Sequence, residues 1–161
     1  MQAELTHVKL GLALVLAGLL FGIALGVAFG INEDSFKDYI AAQVDAHPEL
    51  HDDWSKEKIW RYAQRAHFHA TGIAAFSLGL ILLVAASSLK QKLKTMAALL
   101  VGLGSCYPLA WFTMYRLAPA IGRGPAHDHL LTELFTYVGV GGLIAGLFIL
   151  MANLFLGLFR E

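Results

Sequence analysis

The chain has 161 residues, of which 57% are hydrophobic and 15% are charged, whereas a soluble domain has about 25% charged residues. Its 12 basic and 12 acidic residues cancel, which argues against nucleic acid as a partner. The single cysteine, Cys106, excludes an intrachain disulfide and a zinc site built from several cysteines. No linker or low-complexity tract divides the sequence, so we expect one domain over residues 1–161.

Four apolar segments, residues 8–31, 67–89, 95–118 and 130–159, are long enough to cross a bilayer as helices, which takes roughly 20 residues each. The sequence therefore predicts an all-α fold, an integral membrane four-helix bundle. The first apolar run is too long for a signal peptide and has no convincing cleavage site, so we interpret it as a membrane helix. Pro108 should kink the third helix or break a hydrogen bond in its interior. We expect a multi-pass protein of a bacterial inner membrane, surrounded by lipid.

The first segment contains GLLFGIALGVAFG, in which glycines recur at intervals of four: Gly18, Gly22, Gly26 and Gly30. These positions share one helix face, where the absence of side chains lets another helix approach closely. We interpret this face as a packing surface for a helix of the same chain or of another copy. A groove for a flat cofactor or a lipid tail is the alternative.

The connection 32–66 carries eight acidic and five basic residues, whereas the connection after the second segment reads LKQKLK, with no acid. The positive-inside rule therefore predicts a cytoplasmic lysine loop, cytoplasmic termini and an extracytoplasmic outer loop 32–66. Apolar residues in DSFKDYIAAQV have helical spacing, and no proline lies between Ser55 and Leu89. We therefore expect the outer loop to be a partly helical cap, with the second helix beginning outside the membrane.

Histidines are concentrated at the outer starts of the second and fourth segments. RAHFHATG contains His67 and His69, and PAHDHLLTE contains His127 and His129. Residues two apart in a helix point about 200° apart, given 3.6 residues per turn, so we expect one histidine of each pair to face inward. Because both helices run inward from the outer side, the two motifs should lie at the same depth and meet if the helices adjoin.

Glu133 and Tyr137 follow His129 at four and eight residues and share its helix face. An acidic side chain inside a membrane helix is costly and by default marks a functional site. We therefore predict a site formed by His69, His129 and Glu133, with His67 and His127 as alternative ligands. The surrounding polar groups are expected to be Arg65, Arg116 and Tyr137.

Two histidines and a carboxylate suit copper, iron or zinc. One histidine from each of two helices instead suits axial ligation of a b-type haem, with Glu133 orienting an imidazole. The leading interpretation is a haem- or metal-binding protein for electron transfer or redox sensing. It would be a homo-oligomer or a subunit of a larger complex, with an extracytoplasmic redox partner.

Other interpretations stay open. The histidines can instead lie at an interface in a structural or accessory subunit without a cofactor, hydrogen-bonded to headgroups, water or backbone, or they can relay protons. Glu133 can pair with Arg116 or Arg123. No phosphate loop, nucleophile elbow or cysteine pair is present, so the sequence leaves open whether the protein is an enzyme.

Two local resemblances accompany these motifs. AHFHATGIAAFSLG resembles, over about one helix, the histidine-rich helix starts of membrane haem proteins related to the haem–copper oxidase and nitric oxide reductase group. RAHFH resembles part of the signature of the MAPEG group, small trimeric membrane enzymes of glutathione and eicosanoid metabolism. There an arginine, which Arg65 matches, faces the thiol cofactor together with an asparagine and a glutamate, where this chain has His69 and Gly72. The second resemblance implies glutathione chemistry, and we assign the chain to neither family.

Overall fold

The computed structural model describes residues 5–160, and nearly all of this range is helical. Two 3₁₀ turns, Pro48–Leu50 and Gly104–Cys106, interrupt the helices. These are α1 (Lys9–Ala46), α2 (Ser55–Ala86), α3 (Gln91–Leu103), α4 (Tyr107–Ile121), α5 (Arg123–His127) and α6 (Leu130–Leu156). Four stretches are long and apolar enough to cross a membrane: α1, α2, α3 joined to α4, and α6. The predicted all-α architecture with four apolar helices is confirmed.

α1 consists of two helical segments that meet at Asn32, whose backbone is not helical (φ −154°, ψ 72°). The Asn32 side-chain oxygen accepts from the N–H of Ser35 at 3.1 Å, and the Ser35 hydroxyl donates to the Asn32 carbonyl at 3.0 Å. This reciprocal pair caps the second segment. The apolar part of α1 therefore ends where the sequence predicts, and an acidic helix continues beyond it to Ala46.

α2 begins at Ser55, so residues 55–66 of the predicted outer loop belong to this helix. Asp52 stabilises the start, because its carboxylate accepts from the N–H of Trp54 at 3.1 Å and from the Ser55 hydroxyl at 2.8 Å. The outer segment of α1 packs against this extension and α4. The resulting cap has its own buried core, formed by Ile40, Val44, Ile59, Ala63, Tyr115, Ala118 and Ala126.

The third span is interrupted next to Pro108, as the sequence predicts. Gly104–Cys106 forms a 3₁₀ turn, and Pro108 lies in the first turn of α4. Proline has no N–H to donate to a carbonyl one turn back, and a tighter turn accommodates this loss. The turn divides the span into α3 and α4.

The described ends of the chain meet the lysine loop at one end of the bundle, which we call the lysine end. Val8 and Leu89 share one buried cluster there, and the N–H of Lys90 donates to the carbonyl of Phe159 at 3.1 Å. α6 ends nearby at Leu156, and the glycine that follows, Gly157, has a φ of 66°, the left-handed conformation typical of a helix C-terminus. The cap, at the opposite end, defines the cap end.

α4 lies between α2, which carries His67 and His69 within its length, and α6, which begins directly after His129. α2 packs mainly against α1 and α4, and α6 packs mainly against α3 and α4, while α2 and α6 barely touch. Each His-x-His motif therefore lies among a different set of neighbouring helices.

Candidate functional site

His67 faces the glycine face of α1. Its Nδ1 lies 2.7 Å from the Gly22 carbonyl oxygen, and a Cβ added at Gly26 would lie 2.6 Å from its Cε1. Phe29 meets the imidazole edge-on, with ring centroids 6.0 Å apart. Gly26 therefore makes room for an imidazole of the same chain.

The other glycines of this face divide into two groups. A Cβ at Gly18 would lie 2.7 Å from the Ser105 hydroxyl oxygen, and one at Gly22 would lie 2.9 Å from the Ala70 Cβ. Gly30 has no such neighbour within 4 Å. Three of the four glycines are thus covered by the chain itself, so an assembly between copies needs another surface.

His69 faces α4, away from His67. Its ring stacks on Trp111, with centroids 5.7 Å apart and planes 28° apart, and meets Tyr107 edge-on at 5.1 Å. The guanidinium of Arg65 lies 4.7 Å from the Trp111 ring centroid, within range of a cation–π interaction. Trp111 therefore contacts both Arg65 and His69.

Hydrogen bonds fix the tautomers of His67 and His69. The Nδ1 of His69 lies 2.8 Å from the carbonyl oxygen of Arg65, as that of His67 does from Gly22. A carbonyl oxygen can only accept, so each Nδ1 carries the proton and each neutral ring keeps a lone pair on Nε2. Proteins orient metal-ligating imidazoles by this kind of hydrogen bond.

His127 and His129 differ in whether a ring nitrogen keeps a lone pair with which it could bind a metal ion. His129 is the N-cap of α6, and its Nδ1 accepts from the N–H of Leu131 at 3.3 Å. Its neutral ring therefore has a proton on Nε2 and no lone pair for a metal. The Nδ1 of His127 lies 2.8 Å from the carboxylate of Asp128, which favours the tautomer with a lone pair on Nε2. His127 is thus the better ligand of this motif.

A cavity of about 150 Å³ lies between α4 and α6 at the cap end, and we call it the α4–α6 cavity. Two of its residues, Tyr107 and Trp111, also contact His69. Tyr107 and Trp111 therefore contact His69 and also line the cavity, whose other side chains include acidic, hydroxyl and aromatic ones. The lining residues include Tyr107, Trp111, His127, Thr132, Glu133 and Tyr137.

Polar groups at this cavity lack partners. The indole Nε1 of Trp111 is buried and has no hydrogen-bond partner among residues 5–160, and an unsatisfied buried donor costs about 1–3 kcal/mol. Glu133 lies in the first turn of α6, where the helix dipole favours a negative charge. Trp111 and Glu133 both line the cavity, but the buried Nε1 of Trp111 is closed off from it.

The two arginines considered as partners for Glu133 interact elsewhere. Arg123 pairs with Asp52 at 3.4 Å, and the guanidinium of Arg116 lies 4.5 Å from the ring centroid of Tyr39. Within the described range, no ion pair involves Glu133. Arg116 belongs to the cap, on the side of α1, and not to the cavity.

The predicted constellation is therefore assembled only in part. His127, Glu133 and Tyr137 line the cavity, and His69 adjoins it through aromatic side chains, whereas His67 faces α1 and His129 caps a helix. Between residues 5 and 160, no group of three or more His, Cys, Asp or Glu side chains is arranged to hold a metal ion.

The sequence did not predict the other residues that line the cavity, which are Tyr107, Trp111, Met114, Thr132 and Thr136. Tyr107 and Trp111 are four residues apart, as are Thr132 and Thr136, so each pair shares a helix face. This spacing is a usable signal, but it does not reveal that the two faces oppose each other.

Comparison with protein-family models, with curated proteins and with solved structures finds no match for this chain. A functional interpretation therefore rests on the geometry of the site.

Proposed function

We propose that this protein is a small multi-pass membrane protein that binds a transition-metal ion or a b-type haem at its cap end, for electron transfer or redox sensing. The supporting observation is the hydrogen bonding of His69 and His127, in which each Nδ1 bonds an oxygen and each Nε2 keeps a lone pair. Trp111 is a shared neighbour, because His69 stacks on it and His127 lines the same cavity. The two imidazoles come from different helices, α2 and α5.

The proposal includes a topology. The lysine end lies in the cytoplasm of a bacterial cell, because short loops rich in lysine stay on that side of a membrane. The cap is then extracytoplasmic, where a redox partner can reach it. Lipid surrounds the four apolar helices.

The volume of the cavity favours a metal ion over a haem. Its volume of about 150 Å³ is below the roughly 300–1,000 Å³ of pockets that enclose larger ligands. An ion of copper, iron or zinc suits this volume, with imidazole and carboxylate as donors. A porphyrin requires a site between copies of the chain or between subunits. Ligands from a second copy, a partner subunit or water would complete the coordination in either case.

Absorption spectra and elemental analysis of the detergent-purified protein test this proposal. A Soret band with sharp reduced α and β bands identifies haem, and stoichiometric copper, iron or zinc without a Soret band identifies an ion. His69→Ala and His127→Ala should remove the cofactor. His129→Asn should retain it, because asparagine preserves the helix cap. Protein produced with metals and haem precursors that contains neither cofactor would refute the proposal.

A structural or accessory subunit without a cofactor is the second candidate, favoured by the packing of His67 against Gly22 and Gly26. It predicts that His67→Ala lowers stability while His69→Ala and His127→Ala leave assembly and activity of any complex unchanged. Glutathione-dependent chemistry has no comparable observation in its favour.

A further inference from the structure

The lysine end carries a cluster of positive charges that no acidic side chain of the described chain balances. Its basic residues lie at or near helix ends: Lys9, Lys90, Lys92, Lys94 and Arg160. The acidic residues between residues 5 and 160 all lie elsewhere, at positions 33–57 and at Asp128 and Glu133. Within that range, none of these five basic residues takes part in an ion pair.

The backbone holds two of these cations next to each other. The N–H of Lys90 donates to the carbonyl of Phe159 at 3.1 Å, and Leu89 and Arg160 pair across the same antiparallel bridge. Residues opposite each other at such a bridge have Cα atoms about 5 Å apart, so Lys90 and Arg160 are neighbours in space. Two like charges at such a separation repel each other, and this repulsion favours an anion beside them.

A strained turn fixes this arrangement. Phe159 has a φ of 62°, in the left-handed region that a bulky side chain rarely adopts. Such a conformation persists only where surrounding contacts hold it. One of these contacts is made by Arg160, whose Cζ would lie 3.0 Å from a Cβ added at Gly157. The chain after α6 is therefore held against the lysine loop, and Arg160 with it.

Apolar side chains are exposed beside the cations. Leu156, Leu158 and Phe159 are 71%, 48% and 49% exposed, and they follow or end a helix that is apolar enough to cross a membrane. In a bilayer, such side chains meet acyl chains, whereas lysine and arginine side chains extend to the headgroups. The surface therefore combines a cationic part with an adjoining apolar part.

We propose that the lysine end binds an anionic phospholipid, with the headgroup phosphate beside Lys90 and Arg160. The acyl chains of this lipid lie against the exposed apolar side chains that follow α6. Lys92 is exposed and adds to the positive potential. Lys94 has another role, because its Nζ donates to the carbonyl of Ala85 at 3.0 Å, at the C-terminus of α2.

The inference goes beyond the proposed function, because it concerns the opposite end of the bundle. Lipid binding there needs neither haem nor metal at the cap end. It requires only that the lysine end lies at a membrane surface.

A titration of the ¹⁵N-labelled protein in uncharged detergent with a short-chain phosphatidylglycerol tests the inference. The readout is the set of backbone amide resonances of Lys90 and Arg160, which should shift and saturate while that of Lys56 in the cap stays in place. Phosphatidylcholine of the same chain length should bind at least about five-fold more weakly, because its headgroup carries no net charge. Inorganic phosphate should also bind more weakly, because it lacks acyl chains.

Charge variants identify the residues that bind the headgroup. Lys90→Gln and Arg160→Gln should each weaken phosphatidylglycerol binding by about five-fold, the contribution of one cation near an anionic lipid surface. Arg160→Lys, which keeps the charge, should retain most of the affinity. Lys56→Gln, at an exposed lysine of the cap, should bind as the unchanged protein does.

Three results would overturn the inference. Phosphatidylglycerol that shifts no resonance at the lysine end excludes the site. Phosphatidylcholine that binds as tightly excludes the role of the charges, as does unchanged affinity in both glutamine variants. Inorganic phosphate that binds as tightly as the lipid identifies a site for a soluble anion instead.

Discussion

Replacement of Gly11 by alanine tests the close packing of α1 against α3. An added Cβ would overlap the carbonyl group of Ala98 and would lie 3.1 Å from the Ala98 Cβ. From the opposite helix, a Cβ at Gly102 would lie 2.7 Å from the carbonyl oxygen of Gly11. The obstructing atoms belong to backbone, so no side-chain rotation relieves the overlap and the two helices must separate.

The size of the effect follows from that separation. Ordinary carbon contacts begin near 3.4 Å, so the helices must move apart by about 1 Å, which forfeits a quarter to a half of the dispersion energy at the contact. Between membrane helices this packing is the main attraction, because lipid removes the hydrophobic drive. Overpacking costs about 1–3 kcal/mol, and we expect Gly11→Ala near the upper limit because neither backbone can yield.

Titration with sodium dodecyl sulfate in mixed micelles measures the free energy of unfolding of both variant and control. The matched control is Gly30→Ala in the same helix, where an added Cβ meets nothing within 4 Å. It should leave stability unchanged or raise it by up to about 1 kcal/mol through helix propensity. If Gly11→Ala is no less stable than Gly30→Ala, the reasoning about the α1–α3 contact is wrong.

Three further predictions concern polar groups at the ends of helices. Hydrogen bonding to Ser55 and the charges of Lys58 and Arg123 hold the pKa of Asp52 below its ordinary value. The carboxylate therefore stabilises the cap above about pH 4, the ordinary Asp pKa, and this contribution is lost as pH falls through the lowered pKa. Asp52→Asn should flatten that acid-induced loss of helicity in circular dichroism. His129→Ala should lower the free energy of unfolding by about 1 kcal/mol through loss of the α6 N-cap, whereas His129→Asn should not, as the same detergent titration would reveal. Asn32→Ala should cost about 1 kcal/mol and raise amide hydrogen exchange at residues 33–36, without changing exchange in α6.

The sequence predicted the candidate site correctly where a local rule of helix geometry applied. The 3.6-residue period predicts that His67 and His69 point apart, and they do: His67 contacts Gly22, and His69 contacts Trp111. The same rule grouped His129 with Glu133, but His129 caps α6 through the N–H of Leu131. The capping hydrogen bond occupies the Nδ1 of His129, which is then not available to bind a metal. Whether this bond forms depends on the residue at which α6 begins.

The four apolar segments, the end of the first one near Asn32 and the break beside Pro108 were determined by the sequence itself. Each follows from the composition or covalent geometry of a short stretch: enough apolar residues to cross a bilayer, a side chain that caps a helix, or a residue without an N–H. Only the tertiary structure decided that α4 lies between α2 and α6. That arrangement separates the two His-x-His motifs and forms a cavity lined by Trp111 and Glu133, among other residues. The physical reason is that close packing depends on which faces of distant helices fit together, and no single helix carries that information.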